Sequence, residues 1–161
     1  MDKKLQDSLS KIKLLICDID GVLTDGSFIK STSGDELRSF NALDGVGFVM
    51  LRLLNLNIKT AWITGRESLT TTQRAEELQI DDVYNGVIRK IDAYNELKKK
   101  YGVLDNEVCF IGDDIIDIPI LEKVGFAVTV PNAPKYMSNY CLLYTSPSPR
   151  DLSTSRMPSS A

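Results

Sequence analysis

Short apolar runs alternate along this chain with longer segments of helical period. Three of the runs stop at an acid or a hydroxyl. Ile12–Cys17 predicts a buried strand that ends in Asp18. Ile58–Ile63 predicts a second strand, ending at Thr64, and Val108–Ile111 a third, ending at Gly112-Asp113. Asp82–Tyr84 and Phe126–Val130 read as further strands, and Leu5–Ser10 as a short helix or arm. Ser27–Lys30 and Glu36–Phe40 flank Ser31-Thr32-Ser33-Gly34-Asp35, the pattern of a β-hairpin. Asp44 reads as the cap of a helix through Leu54, whose apolar positions are Val46, Val49, Met50, Leu53 and Leu54. Glu67–Leu78 and Asp114–Lys123 are expected as helices. So is Lys90–Tyr101, with lysines at its C-terminal end and Gly102 as its stop. Strands alternating with helices of this length predict an α/β fold, a mostly parallel sheet with helices on both faces.

Composition narrows what such a fold can do. The 161 residues suit one domain, with 43% hydrophobic and 25% charged residues. A net charge of −3 gives no footprint for nucleic acid or an anionic membrane. No apolar run approaches the about 20 residues that span a bilayer, and the charged start MDKKLQDSLSKIK is not a secretory leader. These features set the expected compartment as the cytoplasm. Cys17, Cys109 and Cys141 are too few and too scattered for a disulfide framework or a zinc site, and Cys17 and Cys109 sit within apolar runs. With 0 histidines, imidazole bases, His-dependent triads and His-ligated metals are all excluded. Chemistry must rest on carboxylates, Lys, Arg, Thr and a hard cation.

The last stretch differs in kind. Residues 142–161 hold three of the 6 prolines and six serines, with no period after Tyr144. They are expected as a disordered or non-native tail following a domain of residues 1–141.

Four places carry candidate chemistry. Asp18 and Asp20 point the same way if the chain stays extended, at a strand end where open parallel sheets bind ligands. Two like-sided carboxylates repel, and a bound Mg2+ resolves this with its preference for oxygen ligands. Gly21 lets the backbone pass close to a ligand. An acidic loop or helix cap is the plain alternative. Thr64, Gly65 and Arg66 follow the second strand, where a hydroxyl and free N–H groups at a helix start can cradle phosphate. A simple turn fits them equally. Lys90 opens a helix, where a cation opposes the dipole; a solvated surface lysine competes with a functional one. Asp113, Asp114 and Asp117 can converge on one hard cation, although an acidic helix start also favours Asp.

These pieces, in this order, resemble the haloacid dehalogenase superfamily: Asp18-Ile19-Asp20-Gly21, Thr64, Lys90, and Gly112-Asp113-Asp114 with Asp117. The segment from Asp20 to Gly47, together with Ile63–Arg66 and Gly112–Gly125, is similar to the superfamily's 3-deoxy-D-manno-octulosonate 8-phosphate (KDO 8-phosphate) phosphatases, which serve lipopolysaccharide precursor synthesis. The likeness covers about residues 11–139. It implies a Rossmann-like three-layer fold with a hairpin inserted after the first strand and no large cap domain. It implies a homotetramer built through the 27–40 hairpin, a neighbouring subunit closing each site. It implies a Mg2+-dependent phosphomonoesterase with Asp18 as nucleophile and Asp20 as acid and base. The metal would sit on Asp18, Asp20 and Asp113, with Asp114 and Asp117 behind them. Gly21, Thr64, Gly65, Arg66 and Lys90 would hold phosphate and substrate, with Asp25 and Arg38 as further contacts. Arg66 or Arg38 could meet the sugar's carboxylate, Arg38 across a subunit boundary; for either, a surface ion pair is the plain alternative. Members continue past the last strand with a glycine- and arginine-containing segment and a helix, so this chain reads as C-terminally truncated.

Three other readings remain open. One is a phosphatase of nine-carbon sialic-type sugar acids, or the phosphatase-like domain fused to cytidylyltransferases. A receiver domain also uses paired Asp, Thr and Lys, but its phosphorylated Asp follows a middle strand. A non-catalytic scaffold assembling through the hairpin is the third.

Overall fold

A computed structural model describes residues 3–34 and 36–144. Its centre is β1 (Leu14–Cys17), flanked on one side by β4 (Lys59–Ile63) and β5 (Asp82–Tyr84). On the other side lie β6 (Val108–Ile111), β7 (Phe126–Thr129) and a short edge strand, β8 (Leu143–Tyr144). The order is β5-β4-β1-β6-β7-β8, and every adjacent pair is parallel.

Alternation along the strands sorts the core into two layers. Leu14, Ile16, Ala61, Ile63, Val108 and Phe110 face α4 (Lys90–Tyr101) and α5 (Ile118–Leu121), where Ala93, Tyr94, Leu97, Ile120 and Leu121 are buried. Cys17 and Trp62 face the opposite way, against α2 (Ala42–Leu53) and α3 (Leu69–Leu78), packing on Phe48, Ala75 and Leu78. Farther along that face, Cys109, Phe126 and Val128 receive Leu5 of α1 (Lys3–Leu9) and Ile12. The result is the expected three-layer α/β architecture.

Between β1 and α2 the chain makes the hairpin of β2 (Ile29–Lys30) and β3 (Glu36–Leu37), antiparallel with Ile29 opposite Leu37. Both strands are shorter than the apolar pattern suggested. Asp35, expected in the turn, lies outside the described residues.

Several boundaries moved for local reasons. Helix α2 starts at Ala42, because Asn41 rather than Asp44 caps it, accepting from Leu43 N at 2.8 Å. Its inward face is Gly45 and Phe48, and the expected apolar positions Val46, Met50, Leu53 and Leu54 are exposed. Helix α3 begins after Ser68, whose extended backbone keeps Glu67 outside it. The expected helix over 114–123 is a 3₁₀ turn (Ile115–Asp117) running into α5, with Pro119 in the first turn of α5. At the C-terminus, Leu142 N donates to Ala127 O and β8 pairs with β7, so the sheet runs through Tyr144. Residues 145–161 of the Ser/Pro-rich stretch lie outside the described residues.

The register fixes where chemistry can gather. Cys17 sits beside Trp62 on one flank and Ile111 on the other. The residues following β1, β4 and β6 therefore emerge side by side at one rim, where the chain order diverges from the central strand.

Candidate active site

Asp18 leaves β1 nearly buried, at 4% exposure. Its Oδ1 accepts from the Ile19 amide at 2.7 Å and lies 2.8 Å from Lys90 Nζ. Lys90 reaches it from the first turn of α4 and is itself buried. The same ammonium donates to Asp117 Oδ1 at 2.7 Å. Asp117 Oδ2 accepts the amides of Asp113 (3.1 Å) and Asp114 (3.2 Å), which ties the loop after β6 to this pair. Burial pushes the Asp18 carboxyl up, Lys90 pulls it back, and the balance stands at about 6. Burial, reinforced by Asp18 and Asp117, pushes Asp113 up to about 8. Burial disfavours the Lys90 ammonium, but Asp18 and Asp117 more than offset it and hold Lys90 above its ordinary value.

The turn after Asp20 depends on glycine. Gly21 has φ +93°, and a Cβ there would lie 1.9 Å from Asp113 Oδ2. Asn132, in the loop after β7, anchors this turn by donating to Gly21 O at 2.9 Å. Thr24 Oγ1 accepts from Gly26 N at 3.2 Å, closing the turn from the other side.

Asp20 faces the hairpin and the loop after β4. Thr64, fully buried, has its hydroxyl 3.5 Å from Asp20 Oδ2 and accepts from Arg66 N at 3.2 Å. Arg66 Nε lies 3.9 Å from Asp20 Oδ2, and its guanidinium stacks 3.9 Å above the Phe28 ring. Arg38 Nη1 lies 3.1 Å from Asp20 Oδ1, a charge contact without hydrogen-bond alignment, which leaves that oxygen without a hydrogen bond. Arg38 Nε donates to Glu36 Oε1 at 2.9 Å and Nη1 to Thr71 Oγ1 at 3.2 Å.

Asp18, Asp113 and Asp117 each offer a carboxylate oxygen within 4.8 Å of the others. Asp113 Oδ1 is buried without a hydrogen-bond partner. Three acids facing one ammonium, all oxygen donors, one of them unsatisfied, fit a hard divalent cation.

A model of haloacid dehalogenase-like hydrolases matches residues 56–151. The chain belongs to this hydrolase family. Its relatives include the 3-deoxy-D-manno-octulosonate 8-phosphate phosphatase of Salmonella typhi, 41% identical over 122 residues, 76% of this chain and 64% of that protein. This chain thus spans about 64% of the length of the curated relatives it matches first. The solved phosphatase of that name from Yersinia pestis superposes with a TM-score of 0.86 at 35% identity, covering 90% of this chain and 77% of the other. The one from Moraxella catarrhalis, solved with magnesium, phosphate and KDO, gives 0.84 at 34% identity, covering 91% and 82%.

In this chain the structure gathers Asp18, Asp20, Gly21, Thr64, Gly65, Arg66, Lys90, Asp113 and Asp117 at one rim. Asp114, Asp25 and Arg38 each take a partner of their own. Asp114, grouped with Asp117 by spacing, is exposed and caps the 3₁₀ turn by accepting from Ile115 N at 2.6 Å. Asp25 is exposed and accepts from Ser27 N at 2.8 Å, fixing its own turn. The Arg38 side chain is fully buried against its own chain's Asp20 and Glu36. Glu36, Thr71, Asn132 and Phe28 also line or brace this site. Of these, only Glu36 carried a signal in the sequence, as an acid two residues before Arg38.

Proposed function

We propose that this chain is a Mg2+-dependent phosphomonoesterase that hydrolyses KDO 8-phosphate to KDO and phosphate. The observation that carries the reading is the buried Asp18–Lys90–Asp117 cluster beside Asp113, at the rim shared by β1, β4 and β6. The substrate assignment rests on the likeness to phosphatases of that sugar acid.

Lys90 and the Ile19 amide both engage Asp18 Oδ1. They orient the carboxylate so that an oxygen attacks phosphorus in line, breaking the bond to the sugar oxygen and forming an aspartyl-phosphate. Asp20 gives its proton to the leaving oxygen. It then takes one from the water that attacks the aspartyl-phosphate, which returns Asp18 and releases phosphate. The Thr64 hydroxyl, the backbone at Gly65 and the Lys90 ammonium hold the transferring phosphoryl group. Arg66, held on Phe28 at the mouth, is placed to meet the sugar's carboxylate. Asp18, Asp113 and the Asp20 main-chain carbonyl would hold Mg2+, which when bound neutralises charge on the phosphoryl oxygens. Asp117 keeps Asp113 in place through the backbone.

The assembly proposed is a homotetramer formed through the 27–40 hairpin. Ile29 and Leu37 are 66% and 62% exposed there, which supports a protein-covered face. The compartment proposed is the cytoplasm. Three free cysteines support it, and among the described residues no helix is long and apolar enough to cross a membrane.

The test is phosphate release from KDO 8-phosphate, a sialic-type 9-phosphate and simple sugar phosphates, with and without Mg2+, by wild type and Asp18→Asn. Release that needs Mg2+, favours KDO 8-phosphate and vanishes in Asp18→Asn is expected. Turnover retained in Asp18→Asn sinks the role of Asp18, and preference for another ester sinks the substrate.

A further inference from the structure

Arg38 is a long cation whose side chain is fully buried at the root of an exposed hairpin. Such a group persists where its partners fix it. Each partner comes from a different element. Glu36 lies on β3, Thr71 on α3, and Asp20 on the loop after β1. Thr71 is fully buried, so the contact from α3 is rigid. Glu36 also lies 3.9 Å from Arg66, which joins the second guanidinium near Asp20 to the same hairpin.

Asp20 is otherwise weakly held. Its contacts beyond Arg38 are Thr64 Oγ1 at 3.5 Å and Arg66 at 3.9 Å, both long for a group that must aim a proton. Arg38 is the nearest charged group, at 3.1 Å.

We propose that Arg38 is the positioning residue of Asp20, with Thr71 as its fixed anchor, so that the seating of the hairpin on α3 aligns the acid that protonates the leaving group. This rests on the phosphatase reading above and adds to it a route from hairpin to proton transfer. Arg38 then acts through Asp20 and does not itself meet the sugar.

The role leaves a signature that depends on the leaving group. An alkyl phosphate needs a proton delivered to its departing oxygen, whereas p-nitrophenolate leaves without one. Arg38→Met should slow the first step, read as the single-turnover release of the leaving group, on KDO 8-phosphate and on a carboxylate-free sugar phosphate by the same roughly ten- to hundredfold. The pre-steady-state burst of p-nitrophenol from p-nitrophenyl phosphate, which reports that step alone, should slow less than about threefold, while hydrolysis of the aspartyl-phosphate slows alike for all three. Thr71→Val keeps shape and loses one acceptor, and it touches neither Asp20 nor substrate. It should show the same pattern at smaller size, with Tm close to wild type, and covers the case in which Arg38→Met does not fold. Loss confined to KDO 8-phosphate, seen as a rise in KM, overturns the proposal in favour of carboxylate binding. Equal slowing of that first step on all three esters overturns it in favour of a structural role. A wild-type chain that hydrolyses none of the esters overturns the phosphatase reading itself, an outcome distinct from either.

Discussion

Lys90 Nζ stands 2.8 Å from Asp18 Oδ1, with both side chains out of solvent. The same nitrogen holds Asp117 at 2.7 Å, so one ammonium balances two buried acids. Breaking a buried pair by removing one partner leaves uncompensated charge, which typically costs about 3–5 kcal/mol. Lys90→Met should therefore unfold at clearly lower urea and lose kcat by at least roughly a hundredfold. Urea titration and initial rates check both. A variant of wild-type stability would show that the cluster is not held by this cation.

Gly21 offers a second test. Its positive φ and the 1.9 Å approach of a Cβ to Asp113 Oδ2 leave no room for alanine. Gly21→Ala should cost about 2 kcal/mol or more, through backbone strain and displacement of Asp113. The rise in Tm on adding Mg2+ should shrink with it. An unchanged Mg2+-induced shift would separate Asp113 from the cation.

The cluster also sets a pH dependence with a definite sign. Asp113 stands at about 8 and Asp18 at about 6, both above the ordinary carboxylate value of about 3.9. The folded chain therefore binds more protons than the unfolded chain between about pH 4 and 8, and stability from these groups falls as pH rises through that window. Without metal, Tm should drop from about pH 6 to about pH 8. Mg2+ needs the ionised carboxylates, so it should raise Tm more at about pH 8 than at about pH 6. Differential scanning fluorimetry at both pH values, with and without Mg2+, reads the pair of slopes. A Mg2+ effect larger at the lower pH contradicts the assignment.

Much of the fold is legible along the chain because strand and helix periods are local. Lys90–Tyr101 and Val108–Ile111 have the boundaries the pattern predicts. Helix α2 was harder, since it is apolar on more than one side. Burial of Phe48 against Trp62, with rings 5.7 Å apart, chose the inward face. Asp114 and Asp117 show the same limit at the site. Both suit a helix start, and only the fold turned Asp117 inward to Lys90 and left Asp114 in solvent as a cap.

The order of apolar runs, and the acid or hydroxyl that closes each, determined by themselves a parallel sheet with Asp18, Thr64 and Asp113 at strand ends. Those residues are set by chemistry that each segment carries alone: alternation for burial, glycine for the turn, carboxylates for a cation. Which acids share the Lys90 ammonium, and where the Arg38 guanidinium comes to rest, was decided only in three dimensions. A charge takes its partner from what burial brings within about 3 Å of it, and partners 27 residues apart, such as Lys90 and Asp117, have no local signal that joins them.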